Sequence, residues 1–248
     1  MLAAGNEVGL HGLDAWRETA AARRERALVA EATGVVETGT RMHWLYFDQN
    51  SPAILDQAGF SYDSTVGYNE TVGYRAGTSQ VYKPPATVQL LELPLHVMDT
   101  ALFYPGYLHL DENSAFTLVD SLIGHLKESG GVLTFNWHDR SLAPERLWGD
   151  FYLRLLRSLK AHRTWFPTAG QAVAWFRKRR HATVECISDG PDRVRIRGRL
   201  ETPDPLPDLL TRIHRPLPRA RGELLAAGPA ATFFDVRFDK VTELNLNS

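Results

Sequence analysis

Short apolar segments alternate with helical runs through the first 180 residues, and that order leaves few folds open to the chain. Residues 132–137, Val-Leu-Thr-Phe-Asn-Trp, form the clearest strand, with His138 at its C-terminal end. Before it, Phe116, Val119, Leu122, Ile123 and Leu126 recur at helical spacing and share one face. Asn113 or Ser114 is the expected cap of that helix, and Gly130-Gly131 its stop. Earlier, 7–11 reads as a short buried strand, 14–31 as a helix closed by Gly34, and 39–44 as a strand or strand exit. Ser51 as cap and Pro52 in the first turn start a second helix that stops near Gly59. Extended chain resumes at 60–63, and 88–95 reads as a buried strand interrupted by Glu92 and ending at Pro94. Two more helices are expected, at 151–160 and from Thr168, where Thr168 and Gln171 have capping-box spacing.

This alternation argues for an α/β fold, a parallel sheet or barrel with helices outside. Chemistry in such folds sits at the C-terminal ends of the strands. His11, Arg41, His43, Asp63, His138 and Asp139 all fall at or just after candidate strands. Past His181 the character changes: 193–197 alternates polar and apolar residues, and 232–238 and 241–246 read as short strands. Pro203, Pro205, Pro207, Pro216 and Pro218 punctuate the stretch between them. The expected division is an α/β domain over 1–180 and a small β-rich appendage over 181–248.

Composition narrows the function classes. With 28 basic and 29 acidic residues the net charge is -1, which leaves no electrostatic footprint for nucleic acid. Cys186 is the only cysteine, so neither an intrachain disulfide nor a thiolate zinc cage can form. No apolar run approaches the roughly 20 residues that span a bilayer, and the first residues lack signal-peptide character. The sequence therefore reads as that of a soluble, cytoplasmic protein.

Several residues carry chemical potential, each with a plain structural alternative. His11, between Leu10 and Gly12, presents a ring nitrogen to a metal or makes a hydrogen bond in a turn. His138 suits proton transfer near neutrality or packs among aromatic residues; Asp139 beside it is a candidate to orient its ring, although strand neighbours point to opposite faces. Arg41 and His43 share a face if extended, the first able to hold a carboxylate, the second to ligate a metal. Asp63, Glu92 and Asp99 are isolated acids read as structural, with Glu92 needing a partner if buried. The stretch 64–85 is a long loop whose Tyr68, Tyr74 and Tyr82, with Tyr62 before it, either stack on sugar rings or pack at the mouth of the fold.

Taken together, the segments resemble the NodB-type polysaccharide deacetylases. Gly5-Asn6-Glu7-Val8-Gly9-Leu10-His11 is similar to that family's metal-binding strand, with Asn6 where His is usual, and 135–139 to its late strand ending in His-Asp. Arg41-Met42-His43-Trp44-Leu45, Tyr62-Asp63-Ser64-Thr65, Gly73-Tyr74-Arg75-Ala76-Gly77-Thr78 and Trp137-His138-Asp139-Arg140 look like a subgroup associated with exopolysaccharide production. The resemblance implies a distorted (β/α) barrel and a hydrolase that removes acetyl groups from a carbohydrate. It further implies His138 as general acid with Asp139 beside it, Arg41 orienting a catalytic carboxylate, and Tyr74, Arg75 and Trp137 on the substrate. A divalent metal, zinc by preference, falls to His11 and, since the position four residues after it is Ala15, to His43 or Asp14, with His43 preferred because imidazole is the usual zinc ligand. The family's first motif, an Asp-Asp pair that supplies base and metal ligand, has no counterpart in the sequence. The expectation is an N-terminally incomplete barrel, less stable and less active than its relatives; a catalytically dead carbohydrate-binding or scaffold protein is the alternative.

Overall fold

The computed structural model describes residues 4–162, 164–188, 193–199, 206–215, 232–238 and 241–247. The chain divides into two units, 1–173 and 174–248.

In the first unit, four short strands form a parallel sheet in the order β1 (Leu10–Gly12), β2 (Thr40–Met42), β3 (Tyr62–Asp63), β4 (Leu91–Glu92). Helix α1 (Thr19–Thr33) crosses from β1 to β2 and α2 (Ser51–Ala58) from β2 to β3. Their inner faces bury Ala22, Leu55 and Ala58 with Met42, Phe60 and Leu90. Burying a side chain such as Leu55 or Phe60 stabilises the fold by about 2 kcal/mol. Gly34 and Gly59 end the two helices in the left-handed conformation, at φ 72° and 84°, as their positions in the sequence imply. Gly39 is fixed by proximity, since a Cβ there would overlap the ring of Tyr62.

A second parallel pair, β5 (Val97–Met98) with β6 (Phe135–Asn136), carries α3 (Asp99–Phe103), α4 (Glu112–Ser129) and α5 (Gly149–Ala161). Val97, Leu102, Phe103, Val119, Ile123, Phe151 and Leu155 form its core. The face predicted for α4 is the one it buries, but its cap differs from expectation. Asp111, not Asn113 or Ser114, caps the helix, its carboxylate accepting from both backbone N–H groups at 2.9 and 3.1 Å. A charged acceptor there satisfies two orphan donors and complements the helix dipole. Ser51 likewise begins α2 rather than capping it; Asp48 accepts its N–H at 3.0 Å.

Helix α6 (Ala169–His181) opens with the predicted capping box: Thr168 N–H donates to Gln171 Oε1 at 3.0 Å, and Gln171 N–H to Thr168 Oγ1 at 3.3 Å. Beyond it lie an antiparallel sheet ordered β7 (Thr183–Ser188), β8 (Arg193–Arg199), β11 (Val241–Asn247), and an antiparallel pair, β9 (Leu209–Arg215) with β10 (Thr232–Phe238). The strands expected near 193–197, 232–238 and 241–246 are present. β7 and β9 come in addition, the latter concealed in the sequence by the surrounding prolines. Of those, Pro203, Pro205, Pro216 and Pro218 lie outside the described residues. Among the described residues no helix is long and apolar enough to cross a membrane.

Candidate active site

The exits of β5 and β6 bring Asp99 and His138 together. Met98 pairs with Asn136 across the two parallel strands, so the residues that follow emerge side by side. His138 Nδ1 lies 2.7 Å from Asp99 Oδ1, and the His138 N–H donates to Asp99 Oδ2 at 2.7 Å. Ser141 Oγ donates to the same Oδ2 at 2.5 Å. Asp99 is fully buried, while the His138 side chain is 41% exposed. Burial alone would push the Asp99 carboxyl up, but hydrogen bonds from His138 and Ser141 outweigh it and hold the carboxyl below its ordinary value. Imidazole Nδ1–H toward Asp99 leaves Nε2 as the open, basic nitrogen.

Asp139 has a different place from the one expected. It is exposed, starts a 3-10 turn over Asp139–Leu142, and its carboxylate accepts the Arg140 N–H at 2.7 Å. Asp99 takes the orienting position because β5 ends at Met98 and the chain turns there into α3, which leaves its carboxylate against the His138 N–H and ring. The sequence held one signal for it, an acid directly after an apolar stretch; that stretch reads as ending at Pro94, and the two-residue β5 beyond it has no period of its own.

On the other sheet, His11 pairs in register with Arg41, and His11 Nδ1 lies 3.1 Å from the Arg41 carbonyl oxygen. His11 and His43 meet edge to face with ring centroids 5.2 Å apart. Partial burial lowers the His11 pKa, so its ring is neutral at pH 7. Arg41 donates from Nε to Ser64 O and from Nη2 to Ser64 Oγ, both at 2.9 Å, and from Nη1 to Asn136 Oδ1 at 3.2 Å. Its guanidinium also faces the buried acids Asp63 and Glu92, which sit opposite each other on β3 and β4.

Those acids perturb each other. Burial raises both; Glu92 is pushed further by the Asp63 charge, and it donates to Asp63, which also accepts from Thr65 Oγ1 at 2.5 Å. Glu92 is thus the neutral partner and Asp63 the anion facing Arg41. A carboxyl whose folded pKa is raised loses stability as pH climbs above its unfolded value of 4.5. Glu92→Gln keeps the shape and removes that loss. Its urea midpoint is expected to match the wild type at pH 5 and to exceed it at pH 8; a midpoint below the wild type at pH 8 would overturn the assignment.

A cavity of about 420 Å³ joins the two sheet ends, with His11, Arg41, His43 and His138 on its wall. Trp44 and Tyr104 stand at it, 57% and 46% exposed. Trp44 and Leu45 hold left-handed backbone, φ 56° and 53°, which costs non-glycine residues about 1–2 kcal/mol each. Buried Leu45 anchors that turn and leaves the Trp44 indole in the open.

The other expected site residues are not brought to the cavity. The Tyr74 ring packs on His96 and His125, and its OH donates to Leu122 O at 3.3 Å. Arg75 donates to Gly67 O at 2.7 Å and stacks on Phe47. Trp137 stacks on Phe151 and Tyr152.

A catalytic zinc takes three protein ligands and an open position. His11 and His43 supply two, and among the described residues no cluster of three His, Cys, Asp or Glu able to hold a metal is present. The donor set falls one ligand short of a catalytic metal centre.

No protein-family model and no curated protein matches the chain. Among solved structures it is similar to a Mycobacterium smegmatis protein described as a "putative polysaccharide deacetylase", at a TM-score of 0.51 and 19% identity, over 66% of this chain. The match spans 59% of the length of that protein. The likeness defines the class: a mixed α/β protein with parallel sheets and a deacetylase-like fold.

Proposed function

We propose that the chain is a carbohydrate deacetylase, a hydrolase that cleaves acetyl groups from an N- or O-acetylated saccharide, with its parallel strands belonging to a distorted (β/α) barrel. The observation that carries the reading is the Asp99–His138 pair at the wall of an open cavity on this fold. His138 is the catalytic residue. Asp99 is a positioning residue that holds the ring in one tautomer.

Water in the cavity loses a proton to His138 Nε2 as its oxygen attacks the acetyl carbonyl carbon. The carbonyl π electrons move onto oxygen, and Arg41, whose guanidinium is already fixed by Ser64 and Asn136, supplies positive charge toward that oxyanion. Collapse breaks the bond from the acetyl carbon to the sugar oxygen or nitrogen. His138 returns its proton to that leaving atom, and acetate departs. Trp44 and Tyr104 offer flat faces for the sugar ring.

Acetate release from acetylated xylan and chitin oligomers tests the reading. Activity that disappears in His138→Ala is the expected result. No release from any acetylated saccharide would sink it in favour of the binding or scaffold alternative.

The cation implied by the resemblance is assigned to His11 and His43. A two-imidazole site binds zinc weakly, so calorimetry is expected to show dissociation at micromolar or higher concentration, lost in both His11→Ala and His43→Ala. Unchanged binding in either variant would remove that residue from the site.

A further inference from the structure

The cavity that holds His138 is lined by Arg41, Arg140 and Arg146 and by no aspartate or glutamate. Pockets that handle neutral sugars need hydrogen-bond acceptors as well as donors for hydroxyl groups. Three guanidiniums without one carboxylate among them describe a different partner. Of the three, Arg41 is offset from behind by Asp63. The other two are not: among the described residues neither Arg140 nor Arg146 is in an ion pair.

Arg146 is also held in place. Its guanidinium carbon lies 5.0 Å from the centroid of Trp148 and 5.9 Å from that of Tyr104, and Nη1 donates to Ser141 Oγ at 3.4 Å. Ser141 in turn donates to Asp99, the partner of His138. Stacking on two rings fixes the plane of the fork while its remaining N–H groups stay available, the arrangement suited to a bidentate anion. Arg140 is exposed beside it.

We propose, resting on the deacetylase reading, that the site takes an acidic saccharide, whose carboxylate or phosphate is bound by Arg140 and Arg146 while the sugar ring lies on Tyr104 and the acetyl group reaches His138. The cavity selects for charge on the sugar, and the Arg146–Ser141–Asp99–His138 chain of hydrogen bonds fixes that anchor relative to the reacting group.

Acetate release tests this with two matched pairs: acetylated galacturonan against acetylated xylan oligomers, and N-acetylglucosamine 6-phosphate against N-acetylglucosamine. The expected result is a kcat/KM about ten- to a hundredfold higher for at least one acidic member, the size of one charge-assisted contact. That advantage shrinks as salt rises from 50 to 500 mM, and it falls toward one in Arg140→Gln and Arg146→Gln. Which pair shows it tells carboxylate from phosphate. Equal values within both pairs, or an advantage that survives both substitutions, would overturn the inference. If no substrate is hydrolysed, tryptophan fluorescence titrated with unacetylated galacturonan and xylan oligomers decides it independently: preferential, salt-sensitive binding of the acidic oligomer, lost in Arg146→Gln, supports the inference, and equal binding rejects it.

Discussion

Asp99→Asn is expected to lower kcat for acetate release by about 10²- to 10⁴-fold with little change in KM, the scale seen when a histidine loses the acid that sets its tautomer. Asn fits the space but offers an NH₂ as well as a carbonyl, so Nδ1–H and the His138 N–H no longer both find an acceptor. The ring is then free to present the wrong nitrogen. A purely structural role for Asp99 predicts lower stability with kcat unchanged in the folded fraction, and that outcome would reject the dyad. A stability signature accompanies the kinetic one. The folded carboxyl lies below its ordinary 3.8, so its stabilisation is present above that value and is lost as pH falls through the folded pKa. The Asn variant lacks this acid-side loss. Urea unfolding from pH 7 down to pH 3 reads the difference.

Arg41→Met carries the second large effect, a loss of about 3–5 kcal/mol in unfolding free energy at pH 8. Methionine replaces the stem and leaves Asp63, 4% exposed, as an anion without its guanidinium. Ser64 O and Asn136 Oδ1 lose donors as well. The cheapest response is for Asp63 to take up a proton, which raises its folded pKa further. A carboxyl with a raised folded pKa stabilises below that value and loses the contribution as pH rises. The variant should therefore recover much of its deficit at pH 5, and Arg41→Met combined with Asp63→Asn should recover it at pH 8 too. A loss under about 1 kcal/mol at pH 8 would show that the buried acids do not depend on Arg41.

What was legible in the sequence follows from what is local. The helix faces, the stops at Gly34 and Gly59 and the capping box at Thr168 depend on residues within one or two turns of each other, and the chain shows them where the sequence places them. His11, Arg41, His43 and His138 were legible for a related reason: each sits at a strand exit, and parallel α/β topology sends those exits to one end. The strands themselves were read as longer than they are. Residues 7–11 and 132–137 look like five- and six-residue strands, but only Leu10–Gly12 and Phe135–Asn136 pair.

Pairing across the fold decided the rest. Asp139 is the acid nearest His138 in sequence, and Asp99, 39 positions away, is the one that touches it, because β5 and β6 are neighbours and the chain turns just past both of their ends. Asp63 and Glu92 read as isolated acids until the register of β3 against β4 set them side by side, where burial and the Asp63 charge raise the Glu92 pKa. Tyr74, Arg75 and Trp137 carry the right chemistry for a sugar, yet packing turns them toward His96, Phe47 and Phe151. Trp44, Tyr104, Arg140 and Arg146 reach the cavity instead, through a left-handed turn and through loops that local periodicity does not describe. Sequence alone determined where the longer helices and several of the strands lie and which strand ends bear reactive groups, since those follow from backbone preference and the two side-chain periods. Which acid meets which base was left to strand register and loop conformation, because a one-residue shift in either moves a side chain to another face and no short-range rule fixes that shift.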